Sequence, residues 1–173
     1  MFAASPNYPP RLVTPRLVLR GYERRDFEAY AENAADPEAN VFMSGATDRR
    51  QAWRSFCAGI GMWQLDGAGW WSVTLDDAMI GTVGAFYRET APDLVEVGWT
   101  IFRRSWRQGF AREAASVALD FAFRELKATR VIAYVAPGNV ASIAVTRSIG
   151  MTPVGDASFY GESTLLFECT LPR

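Results

Sequence analysis

Apolar positions recur along this chain with two periods, and the switch between them marks the elements. The clearest run is Trp99 to Leu126. It starts with strand-like alternation, passes through a turn rich in Arg and Gly, and continues as a helix over about 107–126. Ala115, Ala118, Leu119, Ala122, Phe123 and Leu126 recur at three- and four-residue spacing and define one buried face. Arg112, Glu113, Asp120, Arg124, Glu125 and Lys127 fill the rest of that helix.

The remaining elements follow in order. Residues 1–10 contain prolines and no period, which predicts a loose N-terminal arm. Arg16–Arg20 alternates and reads as a first strand, with Leu17 and Leu19 on one face and Val18 on the other. Glu23–Asn33 reads as a helix stopped by Asp36-Pro37. Ala39–Ala46 is irregular and on its residues alone reads as an anchored surface loop. Thr47 or Asp48 caps a helix to about Gln64, with Ala52, Phe56, Ile60 and Trp63 on one side. Gly69–Leu75 and Met79–Tyr87 form a hairpin around Asp76-Asp77. A second turn at Thr90–Asp93 leads into the strand Leu94–Phe102. Beyond the long helix, Arg130–Ala136 is a near-continuous apolar strand of the kind found inside a sheet. Pro137-Gly138 breaks it, Asn139 caps a short helix to about Ser148, and Thr152–Ser158 and Ser163–Leu171 end the chain as strands. The order is β-α-α-β-β-β-α-β-α-β-β. Periodicity alone gives an α/β protein with a mixed sheet. No repeat, low-complexity run or linker divides residues 1–173, so one domain is expected.

Composition narrows the chemistry. The chain of 173 residues is 49% hydrophobic and 13% aromatic, which suits a folded core. Its 18 basic and 19 acidic residues argue against general nucleic-acid or membrane-surface binding. No long apolar run or leader is present, so a cytoplasmic location is the default expectation. Cys57 and Cys169 have no metal or redox spacing. The chain has no histidine, which removes Ser-His-Asp and Cys-His catalysis and most zinc sites, and no metal is expected. A general base must be Glu, Asp, Tyr, Lys, Cys or a water.

Three groups of residues carry candidate chemistry. The turn before the long helix holds Arg103, Arg104, Arg107 and Arg112, with the small residues Gly109 and Ala111 at the helix start. Free N–H groups and the positive dipole end there suit an anion, and small residues let it approach. Solvated surface charge is the plainer reading, especially for Arg104 and Arg112. Alternation on Leu94–Phe102 puts Glu96 on a face with Gly98 and Thr100, where a partly open space beside a carboxylate suits a general base. An exposed strand carboxylate or an ion-pair partner is the competing reading. Asn139 and Ser142 have the spacing of a helix cap and its third position. Trp63, Trp70, Trp71, Trp99, Trp106 and Phe42 supply either an aromatic pocket or, more ordinarily, core.

Trp106-Arg107-Gln108-Gly109-Phe110-Ala111 resembles motif A of the GNAT acyltransferases, Q/R-x-x-G-x-G/A, with Trp in place of the first residue. That W-x-x-G-x-A form, followed by Glu113 and Ala114, is similar to the RimJ/RimL-type branch. So is the Thr-Pro-Arg-Leu-x-Leu-Arg opening over Thr14–Arg20 with Asp26 beyond it. The resemblance spans roughly residues 14–171. It implies the GNAT-like acyl-CoA N-acyltransferase fold and transfer of an acetyl group from acetyl-CoA, as co-substrate, to a primary amine by direct attack. It assigns Arg104, Arg107, Gln108, Gly109, Phe110, Ala111 and Arg112 to the pyrophosphate. It assigns the backbone of Ile101 and Arg103 to the pantetheine arm, which lies between the strands 94–102 and 130–136 where they splay apart. Asn139 meets that arm, Glu96 acts as base, and Ser142 lies near the sulfur and assists the thiolate. Glu162, in the turn with Tyr160, is a second base candidate beside the acceptor site. The acceptor implied is a protein N-terminal α-amine or a small-molecule amine, and dimers are common in the family. An inactive CoA-binding regulatory module, or an interaction domain, is the alternative.

Overall fold

The computed structural model describes residues 8–43 and 45–171; most of the expected N-terminal arm lies outside them. The elements are β1 (Leu12–Val13), β2 (Val18–Arg20), α1 (Phe27–Ala35), α2 (Arg49–Asp66), β3 (Gly69–Leu75), β4 (Ala78–Arg88) and β5 (Ala91–Ile101). They continue as α3 (Phe110–Arg124), β6 (Arg130–Val135), α4 (Val140–Ser148), β7 (Thr152–Phe159) and β8 (Glu162–Thr170), with short 3₁₀ turns at Arg24–Asp26 and Arg103–Ser105. This is the expected order with one addition, the two-residue β1 paired to β2.

One mixed sheet runs β1-β2-β3-β4-β5-β6-β8-β7. All neighbours are antiparallel except β5 and β6, which are parallel and joined through α3. Asp76 (φ 49) and Asp77 (φ 65) both adopt the left-handed conformation. A two-residue turn of that kind matches the twist of the hairpin it closes. The next turn is tighter than the sequence predicts. Arg88 faces Ala91 directly, so β5 begins three residues earlier than Leu94, and the register shifts between Phe86 and Arg88.

Hydrophobic faces decide the layers. α3 buries Phe110, Ala114, Ala115, Ala118, Leu119, Phe121 and Ala122. These pack with Val95, Val97 and Ile101 of β5 in the main core. The small residues bring the helix close to the sheet. Phe121, absent from the predicted face, is buried because its ring meets Trp71 at 5.0 Å and Trp63 at 5.9 Å. Phe123 and Leu126 lie at the margin of the core rather than in it.

α2 is capped by Asp48, whose side chain accepts from Gln51 N at 2.8 Å, and it ends at left-handed Gly67. Its buried positions are Ala52, Phe56, Gly59 and Trp63, and Ile60 is exposed, contrary to the sequence reading. Tyr22 and Trp70 press so close to Gly59 that a Cβ there would lie 2.9 Å from the Tyr22 ring, so only glycine fits that face.

Glycine at position 81 meets an equally firm limit, because a Cβ would lie 2.4 Å from the Thr100 carbonyl oxygen. Gly81→Ala is expected to lower stability by about 1–3 kcal/mol. Gly61→Ala, on α2 with nothing within 4 Å of the added carbon, is expected to raise it by about 0.5–1 kcal/mol. Urea unfolding of both variants checks the pair.

Candidate active site

The parallel strands β5 and β6 pair only at Val95–Val131 and Glu96–Ile132. Beyond that point β5 continues to Ile101 and β6 to Val135, each held on its outer side by β4 or β8. The inner edges therefore part in the middle of the sheet, as the resemblance implies. Backbone groups on those edges lack a strand partner, and such groups need another one. A cavity of about 700 Å³ occupies the fork. Val97–Thr100 and Ala133–Ala136 line its inner part, and Asn139 and Ser142 border it from α4.

Glu96 stands where the strands separate. It is buried, at 5% exposure, so of the two competing readings the exposed strand carboxylate fails and the ion-pair partner holds. The expected open space over Gly98 is also filled, because the Trp70 ring lies over Gly84 and Gly98 and stacks on Phe86 at 4.9 Å. Arg88, from the bulged end of β4, grips Glu96 with two hydrogen bonds. Its Nε donates to Oε2 and its Nη2 donates to Oε1 at 2.7 Å. The guanidinium is held between two rings, 4.3 Å from the centre of Phe159 and 5.1 Å from that of Phe86. Phe159 stacks in turn on Tyr134 at 5.0 Å. Burial pushes the Glu96 carboxyl above its usual range, and Arg88 pulls it back only in part. A buried carboxylate held in one orientation with a raised pKa has the properties of a general base working through water.

α4 begins as its sequence predicts. Asn139 Oδ1 accepts from Ser142 N at 3.0 Å, which fixes Ser142 in the first turn, at the positive end of the helix. Glu162 borders the outer part of the cavity, and Tyr160 beside it donates to Glu89 at 2.6 Å.

The pyrophosphate-type turn lies outside this cavity. Arg107 (φ 61) and Gly109 (φ 79) are left-handed, and Gly109 is the residue before α3. No side chain caps α3, which leaves its first N–H groups open toward the turn. Among the described residues, the side chains of Arg107 and Arg112 make no hydrogen bond or ion pair, and both are exposed. Four of the groups expected to meet the ligand have settings of their own within the protein. Phe110 turns its ring into the core, so only its backbone faces the turn. Trp106 takes the carbonyls of both Ile101 and Arg103, through its indole Nε1 at 2.6 Å and its backbone N–H at 3.2 Å. Arg103 pairs with Asp36 and Glu38. Arg104 donates to the Met79 carbonyl at 3.1 Å.

Sequence reasoning missed Arg88, Phe159 and the anchor of this turn. Glu113 accepts from Thr14 Oγ1 at 2.5 Å, Arg16 N at 3.0 Å and Arg16 Nε at 2.7 Å. Arg16 also donates to the Gln108 carbonyl at 2.9 Å and covers the Phe110 ring at 4.6 Å. Burial raises the Glu113 carboxyl, but these donors outweigh it and hold the group below its usual range. Thr14 to Arg16 and Glu113, which looked like separate motifs, form one clamp on the turn. Trp63 and Trp71 are core, whereas Phe42, Trp70 and Trp99 line the cavity. Among the described residues, no group of three or more His, Cys, Asp or Glu side chains is placed to hold a metal.

Residues 16–152 match the acetyltransferase (GNAT) domain family. The chain is 32% identical over 149 residues to the uncharacterized N-acetyltransferase p20 of Bacillus licheniformis, covering 83% of each. An acetyltransferase structure from Agrobacterium tumefaciens superposes with a TM-score of 0.84 at 29% identity, covering 99% of this chain and 98% of that one. RimJ of Mycobacterium smegmatis, solved with CoA-disulfide, shares the fold, with a TM-score of 0.76 at 22% identity and coverage of 95% and 89%.

The Arg88–Glu96 pair makes a signed prediction. Arg88→Met strands a buried carboxylate and is expected to cost about 3–5 kcal/mol at neutral pH. The folded Glu96 carboxyl already sits above its unfolded value and rises further without Arg88. The folded variant then holds a proton that the unfolded chain has released, so its stability falls as pH rises. The deficit against wild type is smallest near about pH 4 and grows toward about pH 7. Urea unfolding at the two pH values tests this, and a deficit independent of pH contradicts it.

Proposed function

The chain belongs to the GNAT family of acetyl-CoA-dependent acetyltransferases, and from that premise we propose that it acetylates a primary amine by direct attack, with Glu96 as base and Ser142 at the departing sulfur. The acceptor is a small-molecule amine or a protein N-terminal α-amine. One arrangement carries the reading: Glu96, Asn139 and Ser142 border the same cavity, between strands that stop pairing beside Glu96.

The residues present fit the co-substrate. Unpaired inner edges of β5 and β6 can hydrogen-bond an extended arm in the way an added strand would. The uncapped start of α3, with Gly109 before it and Arg107 and Arg112 beside it, suits a pyrophosphate. Bound acetyl-CoA supplies the activated acetyl thioester. Backbone N–H groups of β5 polarise its carbonyl. Glu96 takes a proton from the ammonium through a water, since its bond pair to Arg88 leaves lone pairs on both oxygens. Ser142, in the first turn of α4, donates toward the sulfur where negative charge develops. Neither Cys57 nor Cys169 borders the cavity, so the reading gives no role to a cysteine nucleophile.

Calorimetric titration with acetyl-CoA is expected to give micromolar binding, about −8 kcal/mol. Gly109→Asp should abolish it. Gly109→Asn, which tolerates the same left-handed backbone without the charge, should keep most of it. Equal loss in both would assign the effect to backbone strain instead. Glu96→Gln is expected to leave this binding intact and lower kcat by about 10²–10⁴. Unchanged turnover across pH would remove Glu96 as the base.

A further inference from the structure

The outer part of the fork cavity has a chemistry of its own. On one side stand Val41, Phe42 and Met43, from the loop between α1 and α2, at 65%, 45% and 60% exposure. Apolar side chains grouped on a cavity rim, rather than scattered, mark a surface that something covers. Phe159 and Tyr160, at the tip of the β7–β8 hairpin, line the same cavity. Neither lip hangs free. Asp36 and Glu38, at the root of the loop, are tied to Arg103, and Phe42 reaches across to within 3.1 Å of where a Cβ on Gly138 would lie. The hairpin tip is held by the Phe159 ring on Arg88 and by Tyr160 on Glu89.

The charges are as informative as the apolar surface. Among the described residues, three charged side chains line the cavity: Arg88, Glu96 and Glu162. Arg88 spends two donors on Glu96, which neutralises its charge, and its guanidinium lies against the Phe86 and Phe159 rings. The Glu162 side chain makes no hydrogen bond or ion pair among the described residues. The cavity therefore offers an approaching amine one free carboxylate, an apolar lip and no free cation. An α-carboxylate on the acceptor would find no unpaired cation and would meet Glu162 and Glu96 instead. A polycation would find one spare carboxylate, the remaining walls being apolar or neutral polar. A cavity of about 700 Å³ also serves the thioester arm, and the Phe42–Gly138 approach narrows its top. That space suits a compact molecule.

Resting on the acetyl-transfer reading above, we infer that the acceptor is a small primary amine with an aryl or alkyl body and no carboxylate beside the nitrogen. The ammonium lies between Glu96 and Glu162, and the apolar body lies between the loop and the hairpin tip. Phe42, Met43 and Glu162 set this specificity.

The full-length protein with acetyl-CoA is offered four acceptors: 2-phenylethylamine, phenylalanine, spermidine and a tripeptide amide beginning with Phe. Calorimetric binding of 2-phenylethylamine to the protein saturated with CoA gives a readout apart from turnover. The expected result is binding together with a kcat/KM for 2-phenylethylamine at least about tenfold above the other three. Phe42→Ser and Glu162→Gln should each raise its KM several-fold and leave kcat within about twofold. Preference for phenylalanine, lost in Arg88→Met, would make Arg88 a carboxylate receptor and overturn the inference. Preference for spermidine or the tripeptide would overturn it as well. Binding of 2-phenylethylamine without acetylation would sink the catalytic reading and leave the acceptor class standing. Turnover of another amine without binding of this one would do the reverse, and neither binding nor turnover with any of the four would sink both.

Discussion

A parallel strand pair that stops pairing halfway leaves backbone donors and acceptors facing a gap, and the rest of this molecule is arranged around that gap. β5 and β6 are joined only through Val95–Val131 and Glu96–Ile132. Each remains a strand beyond that point because β4 and β8 hold its other edge. α3 connects them and packs a run of alanines close under the fork. The opening is thus a property of a rigid sheet and not of a loop, and rigid elements hold a site more accurately than loops do.

Ion pairs fasten the surrounding pieces to that frame. Glu113 ties the N-terminal segment at Thr14 and Arg16 to the first turn of α3, while Arg16 holds the Gln108 carbonyl. Arg20 grips buried Asp26 with bonds of 2.6 and 2.8 Å, which sets the start of α1 against β2. Arg103 holds the root of the loop that carries Val41, Phe42 and Met43. Arg88 is the most consequential of these. It fixes the orientation of Glu96, moderates its pKa, and through Phe159 links that carboxylate to the tip of the β7–β8 hairpin. Breaking a buried pair costs far more than forming an exposed one gains, so these contacts act chiefly as positional constraints.

Much of this was legible in the residues. Element order followed from periodicity, and the Asn139 and Asp48 caps followed from local chemistry. What escaped was long-range. Arg88 reaches Glu96 because a bulge shifts the register of β4, and no period in the sequence shows a bulge. Trp106 looked like a departure from a motif, and it proves to be the donor that closes off the Ile101 carbonyl. Ile60 fitted the helical spacing of α2, but Tyr22 and Trp70, distant in sequence or on another element, put Gly59 on the buried face instead. The alternation on β5 allowed Glu96 an ion-pair partner but left open space over Gly98, which Trp70 from β3 in fact covers. Side-chain direction is local information, whereas what fills the space in front of a side chain is not.

The central claim is that the fork between β5 and β6, together with the start of α3, holds acetyl-CoA. Backbone amide chemical shifts of the labelled protein, followed during titration with acetyl-CoA, test it most directly. The account predicts the largest shifts at residues 97–101, 109–112 and 139–142, with β1–β3 nearly unmoved. Shifts confined to other surfaces, or none at millimolar acetyl-CoA, would contradict it.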